Sequence, residues 1–195
     1  MTPPRAGLDA DAVVVAAARI ANAEGYAELT LKRLAAELGV RPPSLYNHVD
    51  GLPGVLRELR VRGLTELAAE LTEAVAGRTG DDALRAFCLA YRRFAADQPG
   101  VYAAIQPSVH TPETDPRSLA AGEALLDVFS DLLAAYGLAG DDALHAVRAL
   151  RSAIHGFVLL EQTGAFGMSI AVDESFDRLV EMLADGLGSA MPEPR

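Results

Sequence analysis

The sequence predicts an all-α fold, and three observations predict it. Apolar residues recur at spacings of three and four through most of the chain, the period of a helix with one buried face. No segment alternates apolar and polar residues between turn signals, as a half-buried strand would. The breaks fall at glycine and proline, at Gly25, Gly39, Pro99-Gly100, Pro116 and Gly137, where helices stop and start. About nine helices are expected. They group into a three-helix head over residues 1–52, a linking segment over 53–79, and a helical C-terminal domain over 80–195.

The first helix is expected from about Asp9, a capping residue, to Glu24, with Gly25 just past its end. Leu31, Leu34, Ala35 and Leu38 then form one short buried stripe, with Thr30 as N-cap and Gly39 as a left-handed C-terminal stop. Pro42 suits the first position of another helix, where its missing N–H costs nothing, and Leu45 and Val49 face the same small core. From Pro53 a long helix runs to about Ala76 on Leu56, Leu59, Leu64, Leu67, Leu71 and Val75. Asp81 and Asp82 open a helix with Leu84, Phe87, Cys88, Tyr91 and Phe94 on one side, followed by a short turn at Val101 to Ile105. A proline-rich loop leads to Asp115-Pro116, read as N-cap and first position of a helix that stops at Gly137. The last two helices run from Asp141 to about Gln162 and from Asp173 to about Leu187.

Composition bounds the class. Half of the 195 residues are apolar, enough for a core and too many for a disordered chain. No charge-free apolar run reaches the roughly 18 residues of a membrane span, and no signal peptide opens the chain, so a soluble cytoplasmic protein is expected, with no membrane partner. The single cysteine, Cys88, excludes an intrachain disulfide and reads as core. The net charge is −10, unevenly spread. Residues 1–60 hold seven basic and seven acidic side chains, leaving ten basic and twenty acidic in the rest. Such an imbalance turns the neutral N-terminal part toward phosphates and the acidic part away.

The run from Leu29 to Val49, LTLKRLAAELGVRPPSLYNHV, reads as helix, tight turn, helix, the arrangement that presents its second helix to the DNA major groove. LGVRPPSLYNHV, with ARIANAEGYAELT upstream, resembles the DNA-binding head of the TetR family of bacterial transcriptional regulators, a likeness covering about the first third of the chain. The resemblance implies a dimeric protein that binds double-stranded operator DNA and answers to a small-molecule effector, without cofactor or metal. By position it places Thr30, Lys32, Arg33, Arg41, Pro43, Ser44, Tyr46, Asn47 and His48 at the DNA. Two residues depart from the family pattern. Arg41 stands where Ser or Thr often caps the second helix, a loss of about 1 kcal/mol that a phosphate or guanine contact would offset. Asp50-Gly51-Leu52-Pro53 stands where the family commonly has a backbone-clamping lysine.

Farther along, RSAIHGFVLLEQTGAFGM, residues 151–168, resembles the C-terminal regulatory domain of a TetR-like subgroup bearing a His-Gly pair. Residues from about 80 onward are therefore expected to bind a ligand and dimerise. Candidates for a cavity lining are Phe87, Tyr91, Tyr102 and Phe129, with His110 and His155 as polar handles, which points to a largely apolar ligand. The helix from Asp141 is apolar on more than one side, and with the last helix it provides half of a four-helix interface across a twofold axis.

No enzyme is expected. Ser108 with His110, and His155 with Glu161, lack the elbow or phosphate loop of a catalytic set, and the four histidines lack metal-ligand spacing. The competing reading is a dimeric small-molecule-binding protein with a vestigial DNA head, which the acidic balance and the missing lysine favour.

Overall fold

In the computed structural model, which describes residues 8–106 and 114–189, nine α-helices and one 3₁₀ turn follow one another among the described residues. α1 spans Ala10–Glu24 and opens on Asp9, whose Oδ1 accepts the N–H of Ala12 at 2.8 Å. After the 3₁₀ turn Tyr26–Glu28, α2 spans Leu31–Leu38. Thr30 caps it, its hydroxyl oxygen accepting the N–H of Arg33 at 3.1 Å. Gly39 closes it at φ 66°, a left-handed conformation that a β-carbon disfavours.

α3 is shorter than the sequence predicts. Only Pro42–Leu45 is α-helical, and the expected continuation to Val49 is a pair of turns closed by His48 and Val49 N–H groups on the Leu45 carbonyl. α4 then begins at Gly51, two residues before the expected start, and runs unbroken to Val75. Pro53 is accommodated in its first turn, where no intrahelical donor is required.

α5 spans Gly80–Asp97, α7 Pro116–Ala134, α8 Gly140–Gln162 and α9 Val172–Ser189, all within two or three residues of the expected limits. The segment expected as a turn at Val101 to Ile105 is a helix, α6, over Pro99–Ile105. No helix among the described residues is long and apolar enough to cross a membrane.

The chain forms two compact units. One comprises the described residues up to Leu64 together with those between Gln98 and Ala121. Its core joins Val13, Ala16, Ala17 and Ile20 of α1 to Leu34, Leu45, Val55 and Leu59, with Val101, Tyr102 and Ile105 of α6. The other comprises residues 65–97 and the described residues from Gly122 on. There Leu67, Leu71, Leu84, Phe87, Tyr91, Phe94, Phe129, Leu133, Ile154, Phe176 and Val180 are buried together with Cys88. Arg92 crosses that unit, bonding Glu161 of α8 and Asp173 of α9, with its guanidinium 4.8 Å from the centre of the Phe176 ring.

Candidate nucleic-acid interface

The head places its polar side chains on the surface between α2 and the start of α4. Leu34, Leu45 and Val49 are buried, and this fixes which residues face out. Arg41, Pro43, Tyr46 and Asn47 are exposed, Tyr46 at 62%, whereas Ser44 and His48 are half-buried. A tyrosine that far out belongs to no core and leaves its ring and hydroxyl open to solvent. Arg41 occupies the N-cap of α3, where its donor-only guanidinium can accept no helix N–H, so a cation is carried at the positive end of the helix.

The two basic residues of α2 are placed differently. Lys32 is exposed. Arg33 turns back across the head, its Nε 2.9 Å from Oε1 and 3.0 Å from Oε2 of Glu24 on α1, with a second ion pair to Glu37 at 3.0 Å. Those bonds raise the pKa of Arg33, and the hydrogen bond from Arg33 lowers that of Glu24. In this arrangement Arg33 ties α1 to α2, and a phosphate would have to displace two carboxylates to engage it. The Thr30 hydroxyl is likewise committed as a helix cap.

Sequence reasoning missed the residues that hold α6 within this unit. Asn22 on α1 accepts the N–H groups of Gly100 and Val101 at 2.9 and 3.0 Å. Arg60 on α4 donates to the carbonyls of Ile105 at 2.6 Å and Gln106 at 3.2 Å. One supplies the N-terminal cap that Gln98 does not, and the other places a cation at the negative end of α6. The approach is close. A β-carbon at Gly100 would lie 2.0 Å from the Ala21 carbonyl carbon. The glycine pattern was the one sequence signal for this contact.

The expected ligand residues separate. Phe87, Tyr91 and Phe129 come together in the second unit, with Phe129 edge-on to Phe87 and Tyr91 at centroid distances of 4.7 and 6.4 Å. All three are buried. Tyr102 is buried in the other unit, on α6. His155 is half-buried on α8, its pKa lowered by burial and by the charge of Arg151. His110 and Ser108 lie outside the described residues. The second unit also carries a cleft of about 180 Å³ where the end of α4, the start of α5 and the end of α7 meet, and none of the expected ligand residues lines it.

Comparison with known proteins bears on both units. A model of "Bacterial regulatory proteins, tetR family" matches residues 13–48, and one of the "Tetracyclin repressor-like, C-terminal domain" matches residues 84–183. The chain is 38% identical over 185 residues to YobS of Bacillus subtilis, an uncharacterized HTH-type transcriptional regulator, covering 94% of this chain and 95% of that one. A second uncharacterized HTH-type regulator, from Mycobacterium tuberculosis, is 37% identical over 182 residues, 93% of this chain and 83% of its own. Among solved structures, a protein of unknown function from Rhodococcus superimposes with a TM-score of 0.81 at 24% identity, over 96% of this chain and 100% of that one. A single-residue variant of TetR from Acinetobacter baumannii, in complex with minocycline, gives 0.70 at 24% identity over 96% and 100%.

Proposed function

The chain belongs to the TetR family of bacterial transcriptional regulators, with a helix-turn-helix DNA-binding head, and from that premise we propose that it is a ligand-responsive repressor acting as a homodimer in the cytoplasm. Each protomer offers one recognition surface, and the pair reads a palindromic operator whose halves are about one DNA turn, roughly 34 Å, apart. A small, largely apolar effector bound in the second unit releases the DNA.

The observation that carries this reading is the exposed set Arg41, Pro43, Tyr46 and Asn47, backed by half-buried Ser44 and His48, on a helical corner held from beneath by buried Leu34, Leu45 and Val49. Lys32 extends it with a phosphate-binding charge, whereas Thr30 and Arg33 support the surface from behind through a cap and an ion pair. Dimerisation through α8 and α9 is supported by Leu144, Leu159, Leu160 and Met182, which are 41, 50, 47 and 64% exposed on those two helices. Effector control is supported by the unbroken α4, which starts two residues after Val49 and ends in the second unit. The effector must bind the released conformation better, with a coupling of about 1–3 kcal/mol.

Selection of fragments bound from a genomic library is the deciding experiment. Recovery of a palindrome with half-sites near one helical turn apart is the expected result. Failure to enrich any sequence at low salt leaves a small-molecule-binding dimer with a vestigial head.

A further inference from the structure

We propose that the cleft at the junction of α4, α5 and α7 is an effector site that takes a neutral single-ring molecule bearing one hydroxyl-sized polar group. This rests on the ligand-responsive reading above and locates its site. The cleft measures about 180 Å³. Its floor is apolar, from buried Ala83 and Leu132 with half-buried Val75 and Val128. Its rim is polar, from the exposed Thr72, Thr79, Arg78 and Asp131. An apolar cavity of about 150 Å³ is enough to hold benzene, so the floor matches one ring.

The rim specifies the polar group. The Thr72 hydroxyl donates to the Ala68 carbonyl at 2.8 Å, which leaves its lone pairs for an incoming donor. Arg78 spends its Nε on the Ala74 carbonyl at 3.1 Å and pairs its NH1 with Asp82 at 3.1 Å. The lining carries one basic and one acidic side chain, Arg78 and Asp131, so neither an anion nor a cation gains on entry. A neutral group that donates and accepts at once fits both.

The position gives the site its leverage. Two of its walls are fastened together, since the Tyr136 hydroxyl just beyond α7 donates to Asp81 in the first turn of α5 at 2.8 Å. The third wall is the last two turns of α4, Thr72 and Val75, in the helix whose other end follows the recognition segment. A ring wedged against Val75 therefore acts on α4 directly, whereas the buried cluster of Phe87, Tyr91 and Phe129 offers no such purchase.

The test uses 4-fluorophenol as probe and its fluorine NMR signal as readout on the full chain. Saturable binding is expected, with fluorobenzene, which lacks the hydroxyl, weaker by roughly fivefold. Ala135→Trp places an indole at the exposed mouth and should abolish binding while leaving the helical circular dichroism and Tm unchanged. Thr72→Val should reduce the phenol to the affinity of fluorobenzene. Retained binding in Ala135→Trp, or equal affinity for the two probes, overturns the proposal. Operator release is scored separately: probe binding without release fails the effector reading while the cleft stands, and release by a ligand indifferent to Ala135→Trp fails the cleft while the effector reading stands.

Discussion

The side-chain oxygen of Asn22 on α1 caps α6 by accepting the N–H of Gly100 at 2.9 Å, a bond between residues 78 apart in sequence. It also takes the N–H of Val101, so one amide satisfies two of the donors that every helix start leaves open. Asn22→Ala removes both bonds from a half-buried site. The expected loss is about 1–2 kcal/mol, read as a fall in Tm of a few degrees, and Asn22→Asp should recover most of it.

Gly100 itself is predicted to be less replaceable. The β-carbon of Gly100→Ala would sit 2.0 Å from backbone atoms of Ala21, whereas that of Gly63→Ala would meet side-chain methyls of Ile105 and Val101 at 2.6 and 2.7 Å. Methyls move by rotamer and backbone moves only with its helix. Both variants should melt below the parent chain, with Gly100→Ala falling further, by the equivalent of more than about 3 kcal/mol. Equal melting temperatures would show that α6 slides freely on α1.

This pair marks the boundary of what the sequence reveals. Helix positions were legible because each is set by local signals: the apolar period, Asp9 and Thr30 as caps, Gly39 and Gly137 as stops. The exposed set from Arg41 to Asn47 was legible for the same reason, since burial of Leu34, Leu45 and Val49 fixes the outward face. Asn22, Arg60 and the Glu24–Arg33 pair were not, because their partners lie 78, 45 and 9 residues away and no local period encodes them. The aromatic residues are a different case. Phe87, Tyr91 and Phe129 satisfy one another edge to face, and the cleft is lined instead by valine, alanine, leucine and threonine with Arg78 and Asp131.

Acid should loosen the Glu24–Arg33 tie. The carboxyl of Glu24 has a folded-state pKa below its usual value, so the stability it contributes is present above the unfolded carboxylate range and is lost as pH falls through the folded value. Glu24→Gln should therefore melt slightly below the parent chain at neutral pH. The two curves should converge in acid, where the parent carboxyl is protonated as well. A constant offset at all pH values would assign the effect to something other than the charge.

Cys88 reports on opening of the second unit. Burial pushes its thiol up to about 12 from an ordinary value of 9.0, so the folded state holds the proton and the sulfur is unreactive. Stability linked to this group is full below the unfolded value and falls as pH rises between the two. Alkylation at pH 8 should be slow in the native protein and accelerate with denaturant in step with the loss of helix. Fast labelling of the native chain would contradict the burial of Cys88.

The recognition surface is tested by separating its charges from its placed polar groups. Arg41 is exposed and caps no N–H of α3, so Arg41→Ala removes a cation without taking a bond from the helix and improves the local fit to the helix dipole. On the recovered operator its affinity should fall, and the slope of log affinity against log salt should shrink by about one unit if a phosphate is the target. If the target is a guanine, the slope changes little and discrimination at one base pair relaxes. Tyr46→Phe keeps the ring and removes the hydroxyl, so it distinguishes a phosphate bond from contact with a thymine methyl. Glu24→Gln provides the control, since it weakens the hold on Arg33 and leaves only the Glu37 carboxylate for a phosphate to displace. Its operator affinity should equal or exceed that of the parent at low salt, the reverse of Arg41→Ala, and a fall in both would show that Arg33 acts by positioning α2 rather than by touching phosphate.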